Sequence, residues 1–86
     1  GKIKKQDYNK KRRIVKFYLY KYNNPVVKQL IKLLEKDGWY FVAQKGSHKQ
    51  YKHHQKTGRV TVPDHGRNKD LARGTENSIL KQAGLK

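Results

Sequence analysis

Between Trp39 and Pro63 three runs of strand-forming residues follow one another with almost no chain between them, and that spacing decides the topology. Trp39-Tyr40-Phe41-Val42-Ala43-Gln44 is rich in aromatic and β-branched side chains, and Lys45-Gly46-Ser47 is a turn into a second run near His48 to His54. Gln55-Lys56-Thr57-Gly58 is a hairpin loop, and Arg59-Val60-Thr61-Val62 is a third run stopped by Pro63. Parallel strands need a crossover of about a dozen residues or more. No such length separates these runs, so they predict an antiparallel three-stranded meander.

Helical signals flank the meander. Val27, Leu30, Ile31 and Leu34 recur at the spacing that buries one stripe, while Lys28, Lys32 and Lys36 face outward. Asn24 is suited to cap this helix, Pro25 to occupy its first position, and Gly38 to end it. On the far side, Asp64 to Arg73 is a polar connection containing His65 and Leu71. Gly74-Thr75 then opens a second helix with Thr75 as N-cap, Glu76 in its first turn and Ile79, Leu80 and Ala83 inward, ended by Gly84.

The predicted class is therefore α+β, in the order α-β-β-β-α, with both helices on one face of the sheet and the other face toward solvent. That is the order of the double-stranded-RNA-binding domain. Residues 1–13 are polar and basic, and read as a disordered arm. From Ile14 to Tyr22, Val15, Phe17 and Leu19 alternate with Lys16, Tyr18 and Tyr20, which predicts an extra N-terminal strand. A helix with Val15, Tyr18, Leu19 and Tyr22 on one stripe is the weaker reading. The chain thus divides into a basic, aromatic-rich extension (1–24) and a domain (25–86).

Charge narrows the function. The 86 residues carry 22 Lys and Arg against 6 Asp and Glu, a net charge of +16. Both parts are basic: 1–24 holds nine cations and one anion (+8), and 25–86 holds thirteen and five (+8). A small domain needs a net charge of only about 2–8 in magnitude for solubility. The excess points to a polyanionic partner, nucleic acid or an acidic protein. With no cysteine there are no disulfides or thiolate metal sites, which fits an intracellular, cytoplasmic setting. Apolar runs such as Phe17-Tyr18-Leu19-Tyr20 fall far short of the roughly 20 residues that cross a bilayer.

Lys45-Gly46-Ser47-His48-Lys49-Gln50-Tyr51 carries the most chemistry. It sets a histidine at the start of a strand, directly after a glycine turn and among lysines. Histidine, with an unperturbed pKa of about 6.5, serves as base or acid near neutrality. Lys45 and Lys49 can neutralise charge on a phosphate, Gly46 lets it approach the backbone, and Ser47 can donate a hydrogen bond to it. Lys52, further along the strand, and His65, beside Asp64, extend the same phosphate-binding set. His53 and His54 read as ordinary sheet-edge residues. His48, His53, His54 and His65 fit no compact ligand spacing, so neither a metal nor a nucleotide cofactor is expected.

Residues 27–85 resemble the HicA toxins, small messenger-RNA interferases of bacterial type II toxin–antitoxin systems. The resemblance rests on Leu33-Leu34 leading to Gly38-Trp39, on Gly46-Ser47-His48 followed by Tyr51, and on Val60-Thr61-Val62-Pro63 with His65. It continues in Gly74-Thr75 followed by Ile79-Leu80-Lys81-Gln82-Ala83-Gly84. It implies a double-stranded-RNA-binding-like fold, ribonuclease activity needing one histidine, and neutralisation by a HicB antitoxin. The family's catalytic histidine, which follows Gly-Ser, lands on His48. These toxins usually begin near the first helix, whereas about 24 residues precede it here.

The expectation is a metal-independent endoribonuclease acting on messenger RNA with His48 as general base, held inactive by an acidic HicB-type antitoxin. A non-catalytic RNA-binding module of the same fold is the alternative. In the extension, Tyr18, Tyr20 and Tyr22 among Lys16 and Lys21 offer rings for stacking on bases. The competing role for that stretch, and the favoured one, is an added strand that buries Val15, Phe17 and Leu19.

Overall fold

The structure, a computed structural model, describes residues 15–19, 26–66 and 69–86. The expected arm at 1–13, Asn24 and Pro25 as helix start, and Tyr20 and Tyr22 lie outside these residues. In chain order the elements are a helical segment at 15–19 (α1), Val27–Asp37 (α2), Trp39–Lys45 (β1), His48–His53 (β2), Val60–Pro63 (β3) and Arg73–Gln82 (α3).

The sheet is the predicted antiparallel meander in the order β1-β2-β3. Phe41 lies opposite Tyr51, which in turn lies opposite Val60, while Lys49 lies opposite Val62. Directly opposed residues share a face. Trp39, Tyr51, Val60 and Val62 therefore point together into a core completed by Leu30, Ile31 and Leu34 of α2 and Ile79 and Leu80 of α3. Both helices cover that face, leaving the other open.

Val26 precedes the first turn of α2. Its backbone N–H donates to Gln29 Oε1 at 3.0 Å, and the Val27 N–H donates to Lys69 O at 3.2 Å. The start of α2 is thereby tied to the stretch leading into α3. Gly38 ends it with φ 105°, its N–H donating to Glu35 O. A Cβ at Gly38 would stand 2.6 Å from His53 Nε2, so glycine is required there for space as well as for conformation.

Two expectations are corrected. Residues 15–19 are helical, not a strand. Val15 and Tyr18, three apart, are both 5% exposed, while Phe17 faces solvent. The Tyr18 hydroxyl donates to Glu76 Oε2 of α3 at 3.0 Å within the core. A buried phenol requires such a partner, and the partner lies 58 residues away, where no local pattern can reveal it. Tyr18 is consequently withdrawn from any stacking role. The second correction concerns α3, which begins at Arg73 after Ala72, with Thr75 inside the helix. Leu71 is held in the core, and the Glu76 N–H reaches back to Ala72 O at 2.9 Å, closing a turn before Thr75 can cap one.

Candidate functional site

The site is built on the Lys45–His48 hairpin. Lys45 and His48 are the closing pair of a two-residue loop. Gly46 has φ 59° while Ser47 does not enter the positive region. This is the pattern of a type II′ turn, which demands glycine at the first central position and matches the twist of the strands. A Cβ at Gly46 would meet nothing within 4 Å, so the backbone at the tip stands clear for an approaching group. The turn is anchored from two sides. Gln44 Nε2 donates to Gly46 O at 2.9 Å, and the Asp64 N–H donates to Ser47 O at 2.7 Å. The second bond draws the stretch holding His65 toward the turn.

Alternation along β2 settles where His48 points. Tyr51 is buried, so Gln50 and His48 belong to the opposite, open face, with His48 across from Pro63 on one side and Lys45 on the other. His48 is exposed, and among the described residues its ring has no hydrogen-bond or ion-pair partner.

A β-bulge brings Lys45 to it. The β1–β2 register slips between Phe41 and Ala43, leaving Val42 unpaired. Unbroken alternation from Trp39 would turn Lys45 toward the helices. The extra residue reverses that phase, so Lys45 shares the open face with His48. Nothing in the sequence pattern marks this bulge.

The remaining predicted residues separate. Lys52 is exposed on the open face, opposite Tyr40. Lys49 lies on the covered face, its Nζ 2.8 Å from Asp64 Oδ2. Asp64 Oδ1 accepts from the Gly66 N–H at 2.9 Å, which leaves His65 exposed between two tethered neighbours. Sequence reasoning missed Arg59, which donates to Gln50 Oε1 at 2.6 Å, and so brings a third cation to the open side with Lys45 and Lys52. The three strands contain no Asp or Glu, so no strand residue opposes this charge.

His53 has a different environment. Its Nδ1 accepts from the backbone N–H groups of Gln55 and Lys56 at 3.0 and 3.2 Å. With Nδ1 an acceptor, Nε2 carries the proton and donates to Asp37 O at 2.6 Å. Asp37 Oδ2 also receives Trp39 Nε1 at 3.0 Å and Lys56 Nζ at 2.6 Å, and Lys56 continues to Ala83 O at 2.8 Å. This network joins the ends of α2 and α3 to the sheet. His53 is thus a structural residue rather than a simple edge residue, and His54 is exposed against Tyr40 on the open face. Among the described residues no group of three or more His, Cys, Asp or Glu could hold a metal ion, and no helix is long and apolar enough to cross a membrane.

After α1 in the chain, a helix-backed antiparallel sheet in the order α2-β1-β2-β3-α3, with a cationic open face, defines a small α+β domain. The family model described as HicA toxin of bacterial toxin-antitoxin matches residues 27–85, most of the chain, and the protein belongs to that family. Among individually curated proteins, none matches.

Proposed function

We propose that this toxin is a metal-independent endoribonuclease that cuts messenger RNA with His48 as general base. The observation that carries the reading is the placement of an exposed imidazole, without a hydrogen-bond partner among the described residues, at a hairpin end on the open cationic face, beside Lys45. His48 takes the proton of a ribose 2′-hydroxyl, whose oxygen attacks the adjacent phosphorus. The 5′-oxygen of the next nucleotide departs with a proton from water, leaving a 2′,3′-cyclic phosphate and a 5′-hydroxyl, and His48 gives its proton back to solvent. Lys45 and the clear backbone at Gly46 and Ser47 take up the charge of the reacting phosphate and of the transition state, and Lys52, further along the strand, holds a neighbouring phosphate. His65, one residue beyond the segment bonded to the turn, is a further phosphate ligand. Lys49 contributes by fixing Asp64, and through it the turn.

A HicB-type antitoxin that is acidic suits the same face, because its carboxylates would occupy the positions of the phosphates. Such a toxin works in the cytoplasm, where its messenger-RNA substrate is. The test is an unstructured RNA cut by the purified chain, with a single 2′-deoxy substitution at the cleaved position. Cleavage ending in a cyclic phosphate, and its loss in the deoxy substrate, are the expected results. If wild-type protein binds RNA without ever cutting it, the domain is an RNA-binding module.

A further inference from the structure

On the open face, at the end of the sheet away from the hairpin, Tyr40 and His54 stack with ring centroids 4.7 Å apart and planes at 26°. Tyr40 is 39% exposed and His54 is exposed. Among the described residues neither ring makes a hydrogen bond. We propose that this pair is a stacking platform for the bases of single-stranded RNA that crosses the open face to reach His48; the inference rests on the reading of His48 given above.

The geometry supports a strand of RNA running along β2. Tyr40 lies opposite Lys52, four residues from His48. At about 3.4 Å per residue that is roughly 14 Å, or up to about four stacked nucleotides at about 3.4 Å each. Lys52 and Arg59 lie along this path and can hold phosphates, while the rings present a π surface that any base can use. Single-strand binders combine the same two components, an electropositive track and aromatic stacking. A paired duplex hides its base faces and gains nothing from the platform. No core role competes for the two rings, because β1 and β2 supply Trp39 and Tyr51 to the core from the other face.

Binding is measured by fluorescence anisotropy with a short unstructured RNA and the full chain carrying His48→Ala, which prevents cleavage. Adding Tyr40→Ala and His54→Ala should raise Kd by roughly 5- to 150-fold, the range expected for losing stacking with one base. Tyr40→Leu, which keeps apolar bulk for folding but lacks a ring, should weaken binding, and Tyr40→Trp should restore it. A duplex RNA of the same length should be bound equally by all variants. Kd for the single strand within twofold of the His48→Ala background, or no single-strand binding at all, overturns the platform. The two proposals fail separately. A chain that never cuts RNA yet loses binding with Tyr40 keeps the platform without the nuclease, and one that cuts through His48 but ignores Tyr40 and His54 does the reverse.

Discussion

The two faces of the sheet carry nearly the same side chains at adjacent positions and use them differently. On the covered face Trp39 and His53 meet edge to face at 5.2 Å; at the next residue of the chain in each case, Tyr40 and His54 stack on the open face at 4.7 Å. Both ring nitrogens of His53 and the indole N–H of Trp39 are engaged by Asp37 and the Gln55–Lys56 backbone. Tyr40, His54 and His48 have no such bonds among the described residues. A histidine's type therefore says little about its role here. What separates a structural imidazole from a reactive one is whether its two nitrogens are already used.

That contrast can be broken most sharply at Gly38. Gly38→Ala adds a methyl 2.6 Å from His53 Nε2 at a backbone φ of 105°. It should cost about 2 kcal/mol or more in stability, read as a lowered urea midpoint, with cleavage per folded molecule retained. His53→Ala removes one acceptor shared by two backbone N–H groups and one donor to Asp37 O, and should cost about 1–3 kcal/mol in the same assay. If either change instead abolished cleavage in a fully folded protein, the division between the faces would be wrong. Tyr18→Phe leaves Glu76 without its phenol donor and should lose about 1–2 kcal/mol, showing that α1 is part of the core.

The smallest expected effect distinguishes two neighbouring lysines. Lys45→Ala should reduce the slope of log K against log salt for single-stranded RNA by about 0.7, the value for one phosphate contact. Lys49→Ala, whose charge is already paired with Asp64, should change that slope less and stability more. Equal slopes would mean that the bulge at Val42 does not bring Lys45 to the open face, or that Asp64 does not hold the charge of Lys49.

The meander, α2, the end of α3 and the glycine turn were readable from the sequence because each is set by local signals: loop length, a 3.6-residue period, and residues that tolerate positive φ. The hairpin position of His48 follows from the same signals. Three features were not readable, and all depend on distant partners. Residues 15–19 look strand-like by composition, yet the Tyr18–Glu76 bond and the buried Val15 favour a helix. The bulge at Val42 decides which lysine joins His48, and strict alternation would choose otherwise. Asp37 and His53 are sixteen residues apart, and only the folded sheet makes them a hydrogen-bonded pair.

The most direct test of the account is the single-turnover rate at which His48→Ala cuts an unstructured RNA, compared with wild type at equal folded concentration. A general base typically contributes about 10²–10⁴-fold. A fall of that size, with a melting temperature unchanged because an exposed side chain is removed, is the predicted result. A rate within threefold of wild type would contradict it.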